Sequence, residues 1–232
     1  MENLKTGDVV LYSKSTDGWF SSLRGILSKS KQGDDDNQDT YVHMGMVLRD
    51  PVFIHSSLKG LYVWQTRLNN SVNSDNDDND DNDDNDDNDD TSNNTITPPP
   101  ETPSKKEELT MDIMPLKQAL EEYDDFNITY RNVRGCGKSF LTEQMRALHE
   151  TITQDPTHFL PLEKTEGILG NTEPDVARDI SSAFVGYLYT KCHVLTKETE
   201  WATLRPQDFA IESENLRFQT GVSFEKEEYT LN

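Results

Sequence analysis

Long apolar runs, cysteines and basic residues are all scarce in this chain of 232 residues, and each shortage excludes a class of protein. No apolar stretch approaches the ~20 residues that span a bilayer, so a transmembrane protein is not expected. Two cysteines, Cys136 and Cys192, are too few for a disulfide framework. The start, MENLKTGDVV, lacks the basic and apolar regions of a secretory signal. We therefore expect a protein of a reducing, cytoplasmic compartment.

Basic residues are outnumbered, with 22 Lys and Arg against 43 Asp and Glu, and the formal net charge is -21. Nucleic-acid affinity depends on neutralising phosphates, so nucleic acid is not an expected partner. Much of the negative charge lies between residues 71 and 104, which contain eleven Asp, one Glu and no Lys or Arg. The remainder carries -9, the charge of an ordinary acidic globular domain.

That acidic stretch is an Asp/Asn repeat followed by a Pro- and Thr-rich segment. It lacks the apolar side chains that a core requires, and its negative charges repel one another, so we predict a disordered insertion over residues 69–110. The insertion divides a single domain into residues 1–68 and 111–232. The repeat lacks the turn Gly and the bidentate Glu of a calcium loop, and we expect neither a metal nor a cofactor.

Strands are predicted before the insertion and helices mostly after it. Alternation or β-branched apolar runs predict strands at residues 8–13, 41–48, 52–57 and 61–65. In the second, Val42, Met44, Met46 and Leu48 share one face, while Tyr41, His43, Gly45 and Val47 share the other.

Three helices and further strands are predicted in the second part of the domain. Helical spacing is found over residues 115–125, and strand-like alternation over 126–133. Ser139 is a candidate N-cap of a helix that runs to about Thr151. Residues 180–195 form the most apolar helix, although a start near Pro174 is an alternative that makes Ser181 and Ser182 packing residues. The segment RPQDF turns into closing strands that end near Phe224.

The segment RGCGKSF at residues 134–140 has the look of a phosphate-binding loop. The required earlier glycine is missing, because Asn132 occupies its place, so we interpret the glycines as a tight turn. Acidic runs in EEYDD and EKEEY are interpreted as solvated faces rather than acid/base pairs.

His43 and His55 are candidate site residues, since neighbouring strands can bring two rings together. Gly45, on the face of His43, leaves space in which a substrate can approach. An imidazole base oriented by a second polar group is what acyl transfer requires. From the residues alone, the favoured interpretation is that both are satisfied side chains in a half-exposed sheet, because a histidine without an identified partner is only moderately diagnostic.

Six segments occur in the order typical of circularly permuted papain-like proteins: LKTGDVVLYS, HMGMVL, VFIHSS, MPLKQALEEYDDFNITYRNV, ISSAFVGYLYTKCHVL and LRPQDF. The chain resembles the permuted NlpC-type family, the YiiX-like bacterial hydrolases with relatives in poxviruses and other large DNA viruses. The resemblance implies an α+β, papain-like fold, with an antiparallel sheet or small barrel packed against a central helix.

The resemblance also implies roles for individual residues. His43 matches the catalytic histidine, His55 falls at the third polar position, and the family's nucleophilic Cys falls on Ser181. A helix N-terminus activates a thiol far more readily than a hydroxyl, so the substitution weakens the implied chemistry. Cys192 lies too far along the helix to substitute, and nothing near Cys136 predicts a depressed pKa.

Three functions stay open from the sequence. The first is a weakly active or inactive hydrolase homologue, a pseudoenzyme that binds a peptide, lipid or protein in the former active-site cleft. The second is an active amidase or esterase that uses Ser181 and His43. The third is a structural virion protein, which would place the chain in a host cytoplasm or a virion. The substrate and the oligomeric state are not predicted.

Overall fold

The computed structural model describes residues 3–14, 41–70, 107–137, 139–160, 174–210 and 215–231. These residues form a mixed α+β fold with an antiparallel sheet, as predicted. The strands are β1 (Val9–Lys14), β2 (Tyr41–Arg49), β3 (Leu61–Asn70), β4 (Glu107–Pro115), β5 (Phe126–Arg131), β6 (Val133–Arg134), β7 (Ser223–Phe224) and β8 (Tyr229–Thr230). The helices are α1 (Leu116–Glu122), α2 (Thr142–Gln154), α3 (Pro174–Lys191), a 3₁₀ turn (Trp201–Thr203) and α4 (Pro206–Ala210).

Six of these strands form one sheet in the order β4-β3-β2-β1-β5-β8. Each neighbouring pair is antiparallel, and within the described residues the order has two ends, so the sheet is open rather than a closed barrel. Strands β6 and β7 pair separately. The sheet is the layer against which the helices pack, and each of its two faces carries a hydrophobic cluster.

One face, which we call the α3 face, carries the main hydrophobic core. It contains Val9, Leu11, Met44, Met46, Leu48 and Trp64 from the strands, with Ile180, Ala183, Phe184 and Leu188 from α3. The other, the α1 face, carries a second cluster that includes Val10, Tyr12, Val47, Val63, Leu116 and Ala119. Because successive strand residues point to opposite sides, the two clusters are separated by the sheet itself.

The predicted faces of β2 are correct from His43 onward and wrong at Tyr41. The register pairs Tyr12 with His43 and Ser13 with Tyr41, which leaves Val42 as an extra residue in a β-bulge. The bulge turns Tyr41 to the α3 face, where it packs against the main core. Simple alternation fails there because one inserted residue reverses the side on which the preceding residues lie.

The predicted strand at residues 52–57 is wrong, because this segment forms turns. Pro51 follows Asp50, which has a positive φ of 47°, and the Gly60 amide donates to the Asp50 carboxylate at 2.7 Å. This arrangement closes the connection between β2 and β3. Phe53 is nevertheless buried and packs on Trp64, which explains the apolar character of the segment.

Two predicted boundaries in the second half also need correction. Ser139 does not cap α2, which begins at Thr142 after Leu141 and continues to Gln154. The segment RPQDF is the short helix α4 rather than a plain turn, although closing strands do follow it.

The insertion is shorter than predicted at both ends, since β3 reaches Asn70 and β4 begins at Glu107. Residues 71–106 lie outside the described residues.

The central helix begins at Pro174, so the alternative start is the correct one. Pro is favoured at the first helical position because its missing N–H has no partner there. Ser181 is therefore the eighth residue of α3 and not its end. The helix is buried nearly all round from Ile180 to Thr190, as the apolar sequence predicts.

Candidate functional site

His43 lies on the α1 face of the sheet, in a small aromatic and polar cluster. Its partner in the register is Tyr12, whose ring centroid is 5.3 Å away, and the ring of Tyr123 stacks on the imidazole with a centroid distance of 5.9 Å. The two tyrosine rings are themselves 4.8 Å apart. Tyr123 directly follows α1, so the end of this helix covers the histidine. We call His43, Tyr12, Tyr123 and Gln65 the His43 cluster.

The buried nitrogen of His43 has an unusual environment. The ring as a whole is half-buried, but Nε2 is inaccessible and has no hydrogen-bond partner among the described residues. Burial lowers the pKa of His43 from 6.5 to about 4, the Gln65 amide opposes this shift, and the positive charge of Arg67 adds to it. The imidazole is therefore held neutral, because its charged form would lose hydration without gaining a carboxylate.

Gln65 on β3 joins the cluster through the neighbouring strand. Its side-chain oxygen accepts a hydrogen bond from the Tyr12 hydroxyl at 3.2 Å, and its amide nitrogen approaches the Met114 sulfur at 3.8 Å. Arg67, two residues further along the same face, pairs with Asp112 at 2.9 Å and with Glu122 at 2.5 Å. The carboxylates near the cluster are thus held by Arg67.

The space predicted beside Gly45 is already filled. A Cβ atom built at Gly45 would lie 2.5 Å from Cγ1 of Val63 and 3.2 Å from Cβ of Gln65. The glycine therefore serves close packing between β2 and β3, and the prediction of an open approach for substrate is wrong. The prediction fails because the side chain of Val63 on β3 fills this space, and the sequence of β2 alone does not reveal that neighbour.

Ser181 and Ser182 lie on the far side of the sheet from this cluster. Both are completely buried in α3, whose neighbouring residues belong to the core of the α3 face. The Ser182 hydroxyl donates to the Leu204 carbonyl oxygen at 2.6 Å. Ser182 thus fastens the helix to the segment before α4, which is a packing role.

The structure does not bring His43 and Ser181 together. Tyr12 fixes His43 on the α1 face, while Ala183 and Phe184 fix this part of α3 on the opposite face. The prediction that the two side chains meet across one cleft is therefore wrong, because the sheet separates them. A catalytic role for either residue rests on the resemblance alone and stays a prediction.

His55 is also separate from His43. It is exposed in the turn after β2, where its Nδ1 lies 2.7 Å from the Ser57 hydroxyl. His43 is six residues before Arg49, the end of the strand, which corresponds to roughly 20 Å of extended chain. The hairpin therefore does not pair the two rings as predicted. The neighbour that could orient His43 is Gln65.

Neither cysteine offers a substitute nucleophile. Burial raises the pKa of the Cys136 thiol, and it raises that of Cys192 to about 12. Cys192 lies against the Met145 sulfur at 3.7 Å, immediately after α3. A thiol in such surroundings stays protonated and inert.

Gln65, Tyr12 and Tyr123 were missed as site residues by the sequence analysis. Gln65 carried only a weak signal, since it is the first residue of the polar stretch QTR that follows the apolar run LYVW. Tyr12 and Tyr123 carried none, because an aromatic in a strand or at a helix end is ordinary core material.

A cavity of about 240 Å³ lies on the α3 side, beside the segment that Ser182 holds. It is lined by Glu198, Glu200, Thr203, Leu204, Asn215 and Arg217. Five of these six residues are polar or charged, so the cavity suits a polar ligand better than an acyl chain.

No group of His, Cys, Asp and Glu residues suited to a metal ion occurs in the part of the chain that the structure describes. Within that part, no helix combines the length and apolar character that crossing a membrane requires. Comparisons of the chain with protein-family models, with curated proteins and with solved structures found no match.

Proposed function

We propose that the chain is a papain-like hydrolase homologue that has lost catalysis and acts by binding a peptide ligand. The observation that carries this proposal is the position of Ser181, which is completely buried in mid-helix on the face opposite His43. A serine nucleophile needs a base within about 2.6–3.2 Å and a path for substrate. Complete burial closes Ser181 to a substrate, and the sheet separates it from the candidate base His43.

The state of His43 supports the same conclusion. A general base that is oriented by a second group works best when its pKa lies near the operating pH. The pKa of His43 is about 4, and the ring is covered by Tyr12 and Tyr123. A histidine held neutral in a cluster with two aromatic rings serves packing better than proton transfer.

The cavity beside α3 is the site that we propose for the ligand. Glu198 and Glu200 supply negative charge and Arg217 supplies positive charge around a small volume. Peptides present ammonium, carboxylate and amide groups that match this mixture, whereas a lipid chain would find only Leu204. Among the peptide, lipid and protein ligands that the sequence leaves open, the lining thus favours a peptide.

Loss of catalysis is tested with a serine-reactive phosphonate probe on the full chain. We expect no labelling at Ser181 under conditions that label a control serine hydrolase. A Ser181→Cys variant should likewise resist a thiol reagent while folded and react after denaturation. Labelling of Ser181 that disappears in His43→Ala would overturn the proposal in favour of an active amidase or esterase.

Peptide binding is tested by selecting peptides from a displayed library against the folded chain. We expect Arg217→Glu to abolish binding of the selected peptides, because it removes the cation of the cavity. Arg205→Glu is the matched control, since Arg205 is exposed and does not line the cavity. Equal binding by both variants, or failure to select any peptide, would count against the assigned site.

A further inference from the structure

The six-stranded sheet ends in two very different edges. At one end β8 is a two-residue strand, while at the other β4 pairs with β3 over nine consecutive residues. Within the described residues no strand pairs with the outer side of β4. Its register shows no bulge, and a long regular edge of this kind is a template for another strand.

The outward-facing residues of β4 follow from two observations. Pro115 has no N–H, and proline in an edge strand faces its nitrogen away from the partner. The Thr110 hydroxyl donates to the Arg67 carbonyl oxygen, which shows that this carbonyl points toward β4. Residues in an antiparallel strand alternate in direction, so Leu109, Met111 and Ile113 turn their N–H and C=O groups outward.

We propose that the β4 edge is the interface of a homodimer, in which β4 pairs antiparallel with β4 of a second copy across a two-fold axis at Met111. In this register Met111 faces its own counterpart, and Leu109 faces Ile113 of the copy. Each pair exchanges both backbone hydrogen bonds, which gives about six in all. The two sheets then form one continuous sheet, and the arrangement is closed.

Side chains on both faces are compatible with this pairing. Leu109, Met111 and Ile113 lie on the α3 face and pack against the main core, so their pairing extends an apolar stripe across the interface. On the α1 face Asp112 lies opposite Thr110 of the copy rather than opposite a second carboxylate. Asp112 is in addition paired with Arg67 at 2.9 Å. Cross-strand like charges are thereby avoided.

Long-range charge also favours the antiparallel arrangement over a parallel one. The acidic sequence of residues 71–104 enters β4 at its N-terminal end. In the antiparallel pair the two entry points lie eight residues apart along the strands, or roughly 27 Å. This exceeds the Debye length of about 8 Å at physiological salt, so repulsion between the two entry points is largely screened.

The experiment measures the mass of the full chain by light scattering and sedimentation equilibrium across a concentration series. We expect twice the chain mass of 26.5 kDa, with a dimer fraction that rises with salt because the net charge of -21 is screened. A Met111→Lys variant places two ammonium groups face to face and should be monomeric. Val52→Lys is the matched control, since Val52 is an exposed apolar residue in the turn after β2, and it should remain dimeric.

Two further variants keep the test decisive if Met111→Lys does not fold. The N–H that Met111→Pro removes points outward, so the β3–β4 hydrogen bonds keep their donors and the variant should still abolish the dimer. Met111→Cys should form an intermolecular disulfide on oxidation, because the Cα atoms of a hydrogen-bonded pair are about 5.5 Å apart. Val52→Cys should not. The proposal would be overturned by a monomeric wild type or by a partner of other sequence in place of the copy. It would also be overturned by a dimer that survives both Met111→Lys and Met111→Pro.

Discussion

Replacing His43 with glutamine should remove a specific pH dependence of stability. The folded pKa of His43 is about 4 against an ordinary value of 6.5, and burial is the main cause. Between these values the unfolded chain binds a proton that the folded chain does not, so the free energy of unfolding falls as the pH falls. The stabilising contribution of neutral His43 is fully present above pH 6.5 and is lost as the pH approaches 4.

The size of the effect follows from the shift. A difference of about 2.5 units corresponds to about 3.5 kcal/mol at most, since each unit is worth about 1.4 kcal/mol. About 2 kcal/mol of this should already be lost at pH 5, before general acid unfolding. The hydroxyls of Tyr12 and Tyr123, whose rings face His43, stay neutral in this range because the ordinary pKa of tyrosine is 10.0, and burial raises the pKa of both further. Arg67 stays charged, since its carboxylate partners outweigh burial and raise its pKa.

Urea unfolding at pH 7 and pH 5, followed by tryptophan fluorescence, measures this effect. Trp64 is a suitable reporter because it is buried in the main core. His43→Gln should lose about 2 kcal/mol less than wild type between the two pH values. His55→Gln, a change at an exposed turn residue, should behave like wild type. Equal losses in wild type and His43→Gln would refute the buried, unpaired imidazole as the origin of the effect.

Two further substitutions test the packing described above. Gly45→Ala should destabilise the fold by about 1–3 kcal/mol, since the new methyl group meets Val63 at 2.5 Å, and a matched Gly60→Ala control separates steric overlap from the general cost of altering a glycine. Gly60 has open space but a positive φ, so its own loss should be of conformational origin and about 1 kcal/mol. Ser182→Ala should cost about 1–3 kcal/mol, because it leaves the Leu204 carbonyl without its buried donor, and an unchanged denaturation midpoint would contradict that role.

Local pattern was sufficient for most of the strands and helices. The stretches at residues 41–48 and 61–65 lie in observed strands, and the stretch at 8–13 does so from residue 9 onward, because alternation and β-branched residues act through the chain itself. The turn at residues 52–57 escaped prediction, since Phe53 is apolar for a tertiary reason, its contact with Trp64. Pro174 indicated the start of α3, because proline is favoured at the first position of a helix even when the turn that follows is polar.

The site was far less predictable than the elements that carry it. Whether His43 and Ser181 meet depends on which face each occupies, and a sequence does not state which side of a strand will receive the helix. The neighbour of His43 is Gln65, which becomes adjacent only through the register that pairs Gly45 with Gln65. Such a register is a property of two strands and of the core beneath them, so neither segment contains it alone.

The separation of His43 from α3 is enforced by the core rather than by the site. Moving the histidine to the α3 face requires β2 to shift by one residue, which also turns Met44, Met46 and Leu48 away from the core they fill. Each of these side chains is completely buried, and burying one contributes about 1.5–3 kcal/mol. A hydrogen bond between His43 and Ser181 would return only about 1 kcal/mol. Hydrophobic burial therefore decides the face of His43, and a substitution at Ser181 alone, even to cysteine, cannot restore the pair.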